Sequence, residues 1–523
     1  MSLNAPNIAN IYFDFINKGQ NIQSISGSTE GQKKPKNEVS IFYFNDVHCQ
    51  ISKLAQLGSA ADSFTRVFDN ELKTDCFKIS AGDSNIGSDI RKNKFIVQFL
   101  NLIGLDFSAI GNHELDDKSS NFSKIIKNAN YKYVSSNIDI SKGSSLLDSV
   151  KNEKIVRSWI ANKNGHDYGF IGVSPVELKE RINPIYSSND FDIKNPENTL
   201  KAVQKEVDEL KGKGINRIIL VSHLGYHRDV LLAKHVSGID IIIGGHTHDL
   251  IKGITPDINQ IKSLSGEPVL ITQAGRDGNY FGILNAVFDD KGRITSANNI
   301  VRKTSDYKKN DFIEYMKESL LGKPDPIGVL SKIDYPENLL TEENPVANLT
   351  ADSIRYRANT QIALVNSTSI RNKLEPGIIT TRNIQDLTPI TNKICKVELS
   401  EKDLVDALNA AAKSTATLLC KPGLLQVSGL KYTVTPQKTV KDVFIKNSDG
   451  SYTRLDHISP NPNKKFTAAY NDFLINGPEG LVSLKKTPIE IYDQDISAVT
   501  IEYIKKFSNK PFELKKEKRI TVE

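Results

Sequence analysis

The chain has 523 residues, of which 38% are hydrophobic and 25% charged, with a net charge of +6. That length exceeds what one hydrophobic core organises, so two or three domains are expected. The charge balance is too mild to mark a nucleic-acid partner: the nearest basic run, Lys515, Lys516, Lys518 and Arg519, is broken by Glu517.

The chain begins with residues 1–20, where Asn4, Asn7, Asn10, Asp14, Asn17 and Lys18 interrupt every apolar run. A secretory signal needs a continuous apolar stretch, so the chain as written reads as cytoplasmic. It would be periplasmic or secreted if the start were incomplete. Residues 1–38 read as a flexible leader, with Gly, Ser, Gln, Lys and Asn dominating from 19 onward. Val39–Phe44 then forms a strand-like run that ends at Asn45-Asp46. Residues 51–72 carry apolar positions at helical spacing, and Cys76–Ser80 is a second strand ending at Gly82-Asp83. A helix is expected around 93–103, and Phe107–Ile110 leads into Gly111-Asn112-His113. Residues 196–212 read as an amphipathic helix, with Pro196 at its start and Gly212 at its end. Arg217–Val221 ends at Ser222-His223, and Ile239–Ile243 ends at Gly244-Gly245-His246. A helical stretch at 311–321 precedes Gly322, Pro324, Pro326 and Pro336, which places a linker and hinge at 306–335. The expected domains are therefore 39–305 and 336–523. No stretch reaches the ~20 apolar residues of a membrane span.

Five of the apolar strands end in a loop that holds Asp, Asn or His. Loops at strand ends converge on one edge of a sheet, where a rigid scaffold positions ligands. The set comprises Asp46 and His48 in D-V-H, Asp83 in A-G-D, Asn112 and His113 in G-N-H-E, His223 in S-H-L-G, and His246 and His248 in G-G-H-T-H. Carboxylates mixed with imidazoles suit Mn, Zn, Fe or Co, and D-x-H and H-x-H put alternate residues on one side of an extended backbone. His166, His227, His235 and His457 fall outside these motifs and are read as ordinary polar residues. Cys49, Cys76, Cys395 and Cys420 form no C-x-x-C pair and are read as buried or idle thiols.

The ordered set D-x-H, G-D, G-N-H-E-x-D, S-H-x-G and G-G-H-x-H resembles the calcineurin-like metallophosphoesterases, and within them the bacterial 5′-nucleotidase/UDP-sugar hydrolase branch. The resemblance spans about 39–523. It implies an α/β fold with a four-layer α/β/β/α metallophosphoesterase domain followed by a smaller α/β substrate-binding domain. It implies two divalent metal ions: one held by Asp46, His48, Asp83 and His248, the other by Asp83, Asn112, His223 and His246, with Asp83 bridging. His113 would act on the phosphate, positioned by Asp116. The implied reaction is hydrolysis of a small-molecule phosphate ester, a nucleotide or related phosphometabolite. The alternatives are a 2′,3′-cyclic phosphodiesterase, a nucleotide-sugar hydrolase, or a non-catalytic nucleotide-binding protein. In the second domain the resemblance assigns substrate contacts to Asn366, Arg371, Phe473 and Glu479. There the family's N-G-G-G-I-R reads Asn366-Ser367-Thr368-Ser369-Ile370-Arg371, its Pro-Phe reads Pro389-Ile390, and its G-G-D-G reads Gly477-Pro478-Glu479-Gly480. One of two aromatic faces for a base is thus replaced by Ile390.

Overall fold

The computed structural model describes residues 37–182, 189–417, 422–507 and 510–523. The leader and its bearing on export lie outside those residues, as does Cys420. The chain divides into two compact units between Gly322 and Lys323.

The first unit is built on two sheets. β1 (Glu38–Phe44) runs parallel to β2 (Asp75–Ser80), β2 to β3 (Phe107–Ala109), β3 to β4 (Lys132–Val134), and β4 to β5 (Ile155–Val156). The second sheet takes β6 (Ser158–Lys163), β7 (His166–Val173), β8 (Ile218–Ser222), β9 (Ile241–Gly244), β10 (Gln260–Lys262) and β11 (Pro268–Thr272), in the order β10-β11-β9-β8-β7-β6. Antiparallel β12 (Tyr280–Phe288) and β13 (Ile294–Lys303) complete the first, in the order β13-β12-β1-β2-β3-β4-β5.

The period-two alternation of β1 shows how the layers form. Val39, Ile41 and Tyr43 join Phe77, Ile79, Phe170, Ile219, Val221, Ile241 and Ile243 in one core between the two sheets. Phe42 points the other way, stacking on Phe281 at 4.9 Å and meeting Phe64 of α1 (Ile51–Phe64) at 5.6 Å. Behind the second sheet, Val203, Val207 and Leu210 of α2 (Pro196–Gly212) and Leu232 of α3 (Tyr226–His235) pack on Ile218, Leu220, Ile242 and Ile271. Helices thus cover both outer faces, giving four layers, α/β/β/α. The helix expected over 51–72 is α-helical only to Phe64 and continues as a π-helix over Thr65–Glu71. The helix expected at 93–103 begins earlier, at Ile90, because the Asp89 carboxylate accepts from the Arg91 and Lys92 amides.

The second unit has its own cores. Its five-stranded sheet takes β14 (Ile362–Asn366), β15 (Lys393–Ser400), β16 (Leu425–Ser428), β17 (Lys465–Asn471) and β18 (Glu490–Asp495), in the order β16-β14-β17-β15-β18. Leu404, Val405, Leu408 and Ala411 of α4 (Glu401–Ser414) pack on Ile362, Leu364, Val397, Leu399 and Val427 of that sheet. Among the described residues, no helix is long and apolar enough to cross a membrane.

Candidate metal centre

Every motif of the first domain lies just beyond the C-terminal end of a parallel strand: Asp46 and His48 after β1, Asp83 after β2, Asn112 and His113 after β3, His223 after β8, and His246 and His248 after β9. Parallel pairing of β1 with β2, of β2 with β3, and of β8 with β9 carries these loops to matching sheet edges. The loops interlock through the backbone. The amides of Asp46, His48 and Cys49 donate to the carbonyls of Gly82, Asp83 and Ser84, at 3.0, 2.9 and 3.0 Å. The His246 amide reaches Asp46 Oδ2 at 2.9 Å, and the His113 amide reaches Asp83 Oδ1 at 2.8 Å. Gly111 has no room for a side chain, since a Cβ there would sit 2.1 Å from Asp83 Oδ1.

Three groups of donor atoms emerge: Asp46, His48 and His248 offer atoms within 4.8 Å of one another, and so do Asp83, His223 and His246, and His48, Asp83 and His113. The groups adjoin: Asp83 Oδ2 lies 3.0 Å from His223 Nε2 and 3.6 Å from His48 Nε2, while Asp46 Oδ1 lies 3.2 Å from His248 Nε2 and 3.8 Å from His223 Nε2. Asp46 Oδ1, His48 Nε2, Asn112 Oδ1 and His223 Nε2 are buried and make no hydrogen bond among the described residues. A buried polar atom without a partner is costly, and four on three converging loops are what a cation held by oxygen and nitrogen donors would satisfy. The residues present therefore fit a divalent-metal site.

The electrostatics agree. Burial alone would raise the Asp46 and Asp83 carboxyls. His248 and His223 beside Asp46, and His223 and His113 beside Asp83, outweigh it and hold both well below the usual range. Burial pulls His48 down, but the hydrogen bond to Asp277 and the carboxylates of Asp83 and Asp46 nearby hold it at about 9, while Asp83 and Asp46 hold His223 at about 10 against its burial. Burial prevails at His248, which falls to about 4. The carboxylates thus attract positive charge into a closed space, the property a cation site needs.

The outer nitrogens of the ligand histidines are held too. His223 Nδ1 faces the Ala81 carbonyl at 2.5 Å, His48 Nδ1 faces Asp277 Oδ1 at 3.0 Å, and His246 Nε2 faces Glu177 Oε1 at 3.1 Å. His113 lies at the margin of the centre, its ring edge-on to His48 at 5.2 Å: its Nδ1 pairs with Asp116 Oδ2 at 2.7 Å, and its Nε2 lies 4.0 Å from Asp83 Oδ2. Asp116 is itself fixed by the Gly87 amide at 2.8 Å.

Sequence reasoning passed over several contributors. Glu114 is buried beneath the loops and accepts from the amides of Asp83, Ser84, Asn85 and Gly111, and burial and nearby Asp83 push its carboxyl up to about 7. Asp277 and Glu177 follow β11 and β7, so extending the strand-end rule to those two strands finds them. Asn45 bridges Asp46 Oδ2 and the Gly275 carbonyl, at 2.6 and 2.7 Å.

In the second unit, β14 and β17 are parallel, and the register of β15 sets Ile394 opposite Asn471. Asn366, Phe473 and Ile390 therefore lie toward the same end of that sheet. The serines and threonine that replace glycines form a short 3₁₀ turn over Ser367–Ser369, and none of the three has a positive φ. Their hydroxyls take up Asn366: Ser369 Oγ donates to its Oδ1 at 2.5 Å, and its Nδ2 donates to Thr368 Oγ1 at 2.7 Å. Phe473 is half-buried and packs against the core beneath the sheet. Arg371 follows the turn, anchored by its amide to the Leu387 carbonyl at 2.8 Å. Glu479 lies in a turn at Pro478–Gly480, and its side chain falls outside the described part.

Comparison with known proteins places this geometry. Residues 39–250 match the calcineurin-like phosphoesterase family, and residues 326–486 match the 5′-nucleotidase C-terminal domain. A trifunctional nucleotide phosphoesterase protein, YfkN of Bacillus subtilis, is 25% identical over 89% of the chain, which spans 34% of that protein's length. A probable 5′-nucleotidase of Treponema pallidum is 24% identical, covering 78% of each chain. The crystal structure of a 5′-nucleotidase precursor from Thermus thermophilus superposes with a TM-score of 0.74 at 23% identity, over 93% of this chain and 99% of that one.

Proposed function

The chain belongs to the calcineurin-like phosphoesterases that carry a 5′-nucleotidase C-terminal domain, and from that premise we propose that it hydrolyses the phosphate ester of a nucleotide or related phosphometabolite at a two-metal centre. The carrying observation is the set of buried, unpartnered donor atoms on Asp46, His48, Asn112 and His223. In this reading Asp46, His48, Asp83 and His248 hold one divalent ion, and Asp83, Asn112, His223 and His246 the other. Asp83 is shared, and Mn, Zn, Fe or Co all suit the donor set. When bound, such a pair of ions acidifies water and draws charge from phosphoryl oxygens.

The chain's own residues supply the rest. Asp116 holds a proton on His113 Nδ1, which turns Nε2 toward the centre. A second proton at Nε2 lets His113 donate to a phosphoryl or leaving-group oxygen as negative charge develops there. Arg371 suits bidentate recognition of an anionic group, and Phe473 offers one aromatic face to a base. Asn366, largely engaged by its own turn, is assigned to shaping that edge.

The test is Asp83→Asn. An amide removes the charge that balances two cations, so the variant should lose hydrolysis and bound metal together. Near-normal activity with normal metal content contradicts the shared-carboxylate assignment.

A further inference from the structure

The loop after β11 carries a carboxylate outside the ligand set just described. Asp277 approaches His48 from the side away from the centre, and His48 Nδ1–H donates to its Oδ1 at 3.0 Å. The backbone amide of Asp277 donates to the Asp46 carbonyl at 2.6 Å. Its second carboxylate oxygen, Oδ2, is held by Arg276 Nε at 3.2 Å. One residue thus grips both ends of the Asp46-Val47-His48 motif. It does so from a left-handed backbone, with φ 60°. A neutral imidazole carries one ring proton, so a proton kept on Nδ1 leaves Nε2 with its lone pair exposed. That Nε2 is 3.7 Å from Asp46 Oδ1 and 3.6 Å from Asp83 Oδ2, and it makes no hydrogen bond among the described residues.

We infer that Asp277 is the positioning residue of the cation site formed by Asp46, His48 and His248, fixing the tautomer and ring orientation of His48 without touching the ion. The inference rests on the metal-centre reading above. It also predicts an asymmetry between the two sites. In the neighbouring group, His223 is oriented by the Ala81 backbone carbonyl and owes nothing to Asp277. Removing Asp277 should therefore weaken one site and spare the other, whereas a merely structural role would weaken both.

The experiment uses the full chain, stripped with a chelator and titrated with Mn²⁺ by calorimetry, with Mn²⁺ electron paramagnetic resonance as a second readout. Wild type should show two sites. Asp277→Ala should bind Mn²⁺ roughly 10- to 100-fold more weakly at one site, the usual cost of losing such an outer partner. The other site and the unfolding midpoint of the metal-free protein should stay unchanged. Asp277→Asn keeps an oxygen facing Nδ1–H and should recover most of the lost affinity. Should the alanine variant not fold, Asp277→Ser, too short to reach the ring, is read by the same one-site loss. Two wild-type affinities in Asp277→Ala, or equal weakening of both sites, overturns the inference while leaving the metal centre standing. A wild type that takes up no Mn²⁺ overturns both.

Discussion

At Asp46, His48, Asp83, His246 and His248 the backbone is left-handed, with φ of 51°, 50°, 53°, 77° and 63°. Side chains at such angles cost about 1–3 kcal/mol each, and their concentration in one place marks the centre as strained for a purpose. The strain is held by neighbours that sequence reading did not single out as site residues. Glu114, Asp277 and Glu177 each hold a candidate ligand loop far from them in sequence, at Asp83, His48 and His246, and only the convergence of loops brings them there. The candidate ligands are legible in the sequence because their residue types repeat at strand ends. His113 can be separated from them by experiment. His113→Ala should lower turnover by roughly 10²- to 10⁴-fold with metal content unchanged, since on the proposed mechanism its Nε2 serves the ester while its Nδ1 pairs with Asp116. Loss of metal in that variant would make His113 a ligand. A different signature belongs to Asp472 in the second unit, where burial pushes the carboxyl up to about 6 from 3.8 and Oδ1 has no hydrogen-bond partner among the described residues. The unfolded chain ionises first, so stability is lost as pH rises from about 4 through 6. Asp472→Asn removes that cost: it should exceed wild type by ~1–3 kcal/mol at pH 8, with the gap closing toward pH 4. A gap independent of pH, measured by thermal unfolding, contradicts the assignment.

Elements were read with uneven success, for physical reasons. Buried parallel strands such as Ile241–Gly244 are continuous apolar runs and stand out, and the Pro196–Gly212 helix announces itself by an Asn195 cap and Pro at its first turn. The π-helical turn at Thr65–Glu71 has no such signal, because its apolar spacing differs from α by too little over one turn. In the 366–371 segment, where the resembled family has three glycines, the chain forms a short 3₁₀ turn closed by the Thr368 and Ser369 hydroxyls on Asn366. The proposed specificity consequence lies toward the same end of the sheet, where Ile390 stands at the position that the resemblance gives to a second ring beside Phe473. One-sided stacking should give similar kcat/KM for AMP and UMP. Ile390→Phe should favour AMP by roughly 5- to 150-fold, since stacking on one aromatic is worth ~1–3 kcal/mol per base. Strong purine preference in the wild type would mean that another residue supplies the second face.

On the scale of the whole molecule, the chain is two units with separate cores, dividing at Gly322, inside the segment read from its glycine and prolines as a linker. The candidate metal centre lies in the first unit, and the segment that resembles the family's nucleoside pocket in the second. This division explains why the reaction class was easier to read than the substrate: ligand chemistry tolerates few residue types, whereas a base-binding edge tolerates many. The most direct measurement is phosphate release by the full chain from 5′-AMP, 2′,3′-cyclic AMP and UDP-glucose, after chelator stripping and after return of Mn²⁺. The nucleotide sugar and cyclic ester are followed by chromatography of the nucleotide products. The account predicts no turnover in the stripped protein, recovery as about two equivalents of Mn²⁺ bind, and 5′-AMP as the preferred substrate. Undiminished hydrolysis by the stripped protein, or a protein loaded with two ions that turns over none of the three, would contradict it.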